Sequence, residues 1–157
     1  MKKPILAISF VFLGLFSFGQ VGLTFNEAKH RGLVDLDSIY IDAIHSDTTK
    51  AVFKTEKEKE NLITSYEQML QDFGKFLSEN NFEWKQQTKG FNRVYFNEGG
   101  KVDYFLFSIR NSEHELTEEE HKEFQRLLNL FVKDYQFGLT ADKKFVQCGS
   151  VIYSPQK

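Results

Sequence analysis

Phe91-Asn-Arg-Val-Tyr-Phe-Asn-Glu-Gly-Gly-Lys-Val-Asp-Tyr-Phe-Leu-Phe-Ser-Ile-Arg110 decides the fold class. Two runs rich in aromatic and β-branched residues flank Asn97-Glu-Gly-Gly100. The glycine pair supplies the positive φ that a tight turn needs, so the stretch reads as a β-hairpin opened by Gly90. Phe105, Phe107 and Ile109 share one face of its second strand, and Val102, Tyr104 and Leu106 the other. With both faces apolar, that strand belongs inside a sheet.

Outward from the hairpin lie two long helices. Thr55-Glu-Lys-Glu58 is a capping box. Leu62, Ile63, Tyr66, Met69, Leu70, Phe73, Phe76 and Leu77 then recur in steps of one, three and four. That spacing predicts an amphipathic helix over 56–80, ended near Asn80-Asn81. Gly74 interrupts it, as a close approach to a strand would require. Thr117-Glu-Glu-Glu120 caps the second helix, whose acidic first turn suits the helix dipole. Phe124, Leu127, Leu128, Phe131 and Tyr135 form its buried stripe, which runs to about Gln136.

Weaker signals fill the rest. Thr24-Phe-Asn-Glu27 caps a short helix stopped by Gly32. Ile39, Ile41 and Ala43 alternate with Tyr40 and Asp42, which predicts a strand over 36–45. Phe82 to Thr88 reads as a short strand carrying Trp84. Lys144 to Tyr153 reads as the last strand, with Cys148 buried in its middle among Val146, Val151 and Ile152. The order is a short N-terminal helix, then β-α-(β)-β-β-α-β. This is an α+β fold: an antiparallel or mixed sheet of four to five strands with two long helices on one face. The order also fits the split motif of ferredoxin-like folds.

Residues 1–19 are read apart from the fold. Lys2 and Lys3 precede an apolar run from Ile5 to Phe16, and Ser17 and Gly19 set small residues two apart. This is the pattern of a cleavable signal peptide cut after Gly19, with a cut after Gln20 as the competitor. The apolar run is short of the roughly 20 residues a membrane span needs. The expectation is export to the periplasm or beyond, with no membrane span after cleavage. What remains, 20–157, reads as a single domain with a loose tail at 154–157. The chain's 20 basic residues, less Lys2 and Lys3, leave 18 against 22 acidic ones. A mildly acidic domain lacks the basic footprint of nucleic-acid binding. Cys148 is the only cysteine, so no intramolecular disulfide staples the domain.

No sequence pattern designates a catalytic residue, metal or cofactor. His114 and His121 sit in an acidic stretch whose spacing matches no ligand motif. His45 with Asp47 reads as an ordinary turn pair. The binding candidates are Trp84, Tyr95 and Tyr104, aromatics with polar tips that would line an open sheet face. The alternative places them under the N-terminal segment, burying that face.

Residues 91–153 resemble the TonB C-terminal domain family. The resemblance rests on a strand, the run Gly99-Gly-Lys-Val102, a helix, and a final strand ending in Val151-Ile-Tyr153. It implies a periplasmic β-β-α-β unit that contacts an outer-membrane protein through a strand edge. It designates no functional residue. The expectation is an exported binding domain that takes an envelope protein by a strand edge or a ligand on an aromatic sheet face. A small periplasmic hydrolase with His and carboxylate chemistry, and an exported inhibitor or immunity-type protein, are the alternatives.

Overall fold

The computed structural model describes residues 21–110 and 116–155. The signal-peptide pattern, His114 and the last two tail residues lie outside them. The elements are β1 (Gly22–Thr24), α1 (Phe25–His30), α2 (Leu36–Ile39), β2 (Ile41–Asp42), α3 (Glu56–Glu79), β3 (Thr88–Phe96), β4 (Val102–Arg110), α4 (Glu118–Asp134) and β5 (Phe145–Tyr153). The fold is α+β, with a mixed five-stranded sheet in the order β1-β4-β3-β5-β2 among the described residues. β3 runs antiparallel to β4 and β5, β1 is parallel to β4, and β2 is parallel to β5. β4-α4-β5 is therefore a split β-α-β crossover, with β3 inserted between two parallel strands. The motif is not repeated in the first half, because β2 lies at the far edge and runs against β3.

All three predicted capping boxes form, at Thr24/Glu27, Thr55/Glu58 and Thr117/Glu120. In each, the threonine hydroxyl accepts from the N3 amide and the glutamate accepts from the cap amide, so orphan helix donors find partners. The hairpin turn is also as read. Gly100 has φ +80°, unlike Gly99, and a Cβ there would clash with the Leu139 carbonyl.

Alternation along the strands sorts the sheet into two faces. Val94, Phe96, Phe105, Phe107, Phe145 and Tyr153 face α3 and α4. Phe124 of α4 is the hub of that layer, with ring centroids of Phe73, Phe82, Trp84, Phe107 and Tyr153 between 5.1 and 5.9 Å away. The second face carries Arg93, Tyr95, Leu106, Val146 and Cys148. α1, α2 and β1 cover part of it with Leu23, Ala28, Leu36 and Tyr40.

Four sequence expectations are corrected here. Residues 36–45 are not one strand: only Ile41 and Asp42 pair, with Phe145 and Val146. Leu36 and Tyr40 are buried four residues apart on a helical turn and Ala43 is buried in the main core, while Ile39 is 58% exposed. The 82–88 segment is no strand either. Phe82 and Trp84 are buried, but the ladder begins only at Thr88. No strand closely approaches Gly74, since a Cβ there would meet nothing within 4 Å beyond its chain neighbours and its own helix backbone. Cys148 is exposed rather than buried, because even-numbered residues of β5 point away from α3 and α4. β1, only three residues long, carries too little pattern to be read from sequence.

Candidate functional site

Of the three aromatic candidates, Tyr95 and Tyr104 meet edge-on across the β3–β4 ladder at 6.3 Å, and Trp84 stands apart from both. Trp84 lies on the helix side of the sheet, its ring stacked on Tyr153 at 4.5 Å and 13°. Burial pushes the Tyr153 phenol up to about 12. Tyr95 is on the other face but buried, with the Tyr40 ring edge-on at 5.0 Å. Its hydroxyl donates to Asp37 Oδ1 at 3.1 Å, and Arg93 Nη2 pairs with the same oxygen at 2.8 Å. Burial foremost, with Asp37 adding and Arg93 opposing, pushes the Tyr95 phenol up to about 12. Tyr40 donates in turn to Asp103 Oδ2 at 2.8 Å, 3.6 Å from Lys144 Nζ. These two polar clasps hold α2 and its neighbours down on the second face. Tyr104 is half-buried beside Tyr95. The burial alternative holds for Tyr95, and Trp84 belongs to the main core.

The ionisable candidates are apart too. Asp47 donates its amide to His45 Nδ1 at 2.9 Å, while its carboxylate accepts from the Thr49 amide and hydroxyl at 3.0 and 2.7 Å. Those Thr49 bonds hold the Asp47 carboxyl below its ordinary value. His121 instead packs its ring on Phe107 at 5.6 Å. Among the described residues no group of three His, Cys, Asp or Glu side chains is placed to hold a metal. No described helix is long and apolar enough to cross a membrane.

What the fold does assemble is an open strand edge. β5 pairs along all nine residues with β3. On its other side β2 covers only Phe145 and Val146. Lys144 and Val146 accept outward bonds from Ile41 and Ala43 at 3.1 and 2.9 Å. Strand parity therefore turns the backbone groups of Cys148, Ser150 and Ile152 outward as well. Gln147 Nε2 donates to the Cys148 carbonyl at 2.9 Å. The amides of Cys148, Ser150 and Ile152 and the carbonyls of Ser150 and Ile152 have no partner among the described residues. Residues 145–153 contain no charge and no proline, the usual guards of an edge strand.

The opposite edge is closed. Asn129 Oδ1 accepts from the amides of Val21 and Gly22 at 2.9 Å each. Asn129 Nδ2 and Gln125 Nε2 donate to the Gly22 carbonyl at 3.1 and 3.0 Å. Two amide side chains of α4 thus stand where a further strand would pair.

Beside the open edge, where β3 begins and β4 and β5 end, is a cleft of about 1010 Å³. Its apolar lining wraps the end of the sheet, with Phe25, Phe91 and Ile152 on the second face and Phe107, Ile109 and Val151 on the helix side.

Sequence reasoning expected contact through a strand edge but could not say which strand, because openness depends on how short β2 is. The uncharged run in 145–153 was the available signal. No protein-family model matches this chain, and no curated protein or solved structure matches it.

Proposed function

We propose that this is an exported interaction domain of the bacterial envelope, which takes an extended segment of a partner protein as an added strand along β5. The observation that carries the reading is the row of unpartnered backbone groups from Cys148 to Ile152 on an uncharged edge. Strand addition supplies affinity through main-chain hydrogen bonds, each worth about 0.5–1.5 kcal/mol net. The β3-β4-α4-β5 unit has the β-β-α-β element order that the TonB-like resemblance implies. A strand edge is also where that resemblance puts contact. Export rests on the Lys2-Lys3 start, the apolar run and the Ser17/Gly19 spacing.

The test uses the full chain, expressed with its N-terminus intact. Cell fractionation with N-terminal sequencing should find it outside the cytoplasm, beginning at Gln20; cytoplasmic protein retaining Met1 overturns export. Envelope cross-linking should then trap a partner with the wild type and lose it with Ser150→Pro, which deletes one outward amide. Equal recovery by a folded Ser150→Pro variant overturns strand addition.

A further inference from the structure

We infer that the cleft at the end of the sheet binds a small amphipathic anion, an aliphatic or aromatic body bearing one carboxylate. The reading is independent of strand addition.

The first argument is shape. Phe91 on β3 stands between Ser108 of β4 and Ser150 of β5, its direct cross-strand neighbours. Two small hydroxyl side chains flank one large ring, which leaves a notch on each side of it. The Phe25 ring of α1 stacks on Phe91 at 6.0 Å and 30°, forming one wall. Ile152 borders the other side. Phe91 is 38% exposed and Ile152 58%, so a patch of large apolar side chains faces solvent in a concavity. The cleft's volume, about 1010 Å³, stands at the upper end of the roughly 300–1,000 Å³ typical of small-molecule sites. Burying such surface is worth on the order of 25 cal/mol per Å².

The second argument is charge. Lys89 lies directly opposite Ile152 in the β3–β5 register. It is exposed and forms no ion pair among the described residues. His121, the other ionisable side chain of the lining, packs on Phe107 on the helix side of the sheet, so Lys89 is the charge on the Phe91 side, and no described lining residue is Asp or Glu. The chain as a whole carries a formal charge of −2. A basic mouth on an apolar cleft of an acidic protein complements an anionic head on an apolar body. A carboxylate at the mouth would receive a charge-assisted hydrogen bond from Lys89 Nζ, while the body lies across Phe91.

The test is calorimetric titration of the full-length protein with laurate below its micelle concentration, and with dodecanol as the uncharged match. Saturable one-to-one laurate binding is expected, with dodecanol at least about tenfold weaker, the scale of one charged hydrogen bond. Lys89→Gln should weaken laurate about tenfold and leave dodecanol unchanged. Phe91→Ala should weaken both, and Lys143→Gln, on an exposed loop, neither. Unchanged thermal midpoints would show that the variants fold. No saturable laurate binding, equal affinity for the alcohol, or a Lys89→Gln variant that binds laurate as the wild type does would each overturn the proposal.

Discussion

At the β1 edge, the outward amides of Val21 and Gly22 and the Gly22 carbonyl all end on Asn129 and Gln125. At the β5 edge, the outward groups of Ser150 and Ile152 end on nothing among the described residues. Both edges belong to one sheet, and α4 runs from one to the other as the crossover between β4 and β5. Its closing side chains are all spent on β1. An unsatisfied backbone group costs little while water can reach it and much once buried. β1 lies against α4, with Gly22 buried beside Leu128 and Asn129, so its groups must be paired internally. β5 stands in solvent and tolerates the open row. The difference teaches that an open edge here is a consequence of exposure, and that exposure is what keeps it available to a partner.

The largest test removes the support common to both edges. Phe124→Ala deletes the ring at the centre of the aromatic layer and should cost about 3–5 kcal/mol. Because α4 also closes the β1 edge, hydrogen exchange at Val21 and Gly22 should rise along with exchange in the core. Global loss in urea melts with β1 still protected would separate edge closure from core packing.

Next comes a pair of prolines at adjacent positions of β5. Val151 turns its amide inward to β3, so Val151→Pro breaks a ladder bond and should cost about 3 kcal/mol or more. Ser150 turns its amide outward, where proline is tolerated on an edge. Ser150→Pro should therefore change thermal stability far less. Equal losses from the two variants would mean that the outward groups of β5 are not free.

Asn129→Ala should open the closed edge. It leaves the Val21 and Gly22 amides without their acceptor, at about 1–3 kcal/mol. It should also create a second edge able to take strands, seen as concentration-dependent association in sedimentation. Destabilisation without association would show that burial under α4, rather than pairing, protects β1.

The legible parts of this fold were local. A capping box needs four residues, and all three were visible because Thr and Glu meet within one turn. The hairpin was visible because the glycine pair marks a turn, although only Gly100 of the two takes the positive φ that favours glycine. The 36–45 segment failed because Ile39, Ile41 and Ala43 alternate like a strand, while Leu36 and Tyr40 are buried at helical spacing and only the stretch from Ile41 to the buried Ala43 runs along β5. The three aromatic candidates separate for a non-local reason, with Tyr95 and Tyr104 together and Trp84 apart. Trp84, Tyr95 and Tyr104 are similar in sequence terms, yet one backbone parity step sends Tyr95 to the opposite face from Val94, and Trp84 precedes the ladder altogether. Which face α2 covers, and where β2 stops covering β5, are decided by contacts between residues about 60 and about 100 positions apart, respectively.

The smallest effect tests what holds the closed edge in place. Gln125 donates to both the Gly22 carbonyl and Glu27 Oε2, the latter at 2.9 Å. Burial alone would raise the Glu27 carboxyl. The Thr24 amide and hydroxyl, Gln125 and nearby Arg31 outweigh it and hold the carboxyl below its ordinary 4.5. A carboxyl whose folded value is depressed stabilises the fold above its unfolded value, and loses that contribution as pH falls through the folded one. Glu27→Gln can still accept from the Thr24 amide in the capping box, but it has no charge to lose. At pH 7 the variant should be slightly less stable than wild type. The gap should close below pH 4.5 as Glu27 itself takes up a proton, which urea melts across pH 3–7 would read. A gap that stays constant through that window would place the acid sensitivity of the closed edge on some group other than Glu27.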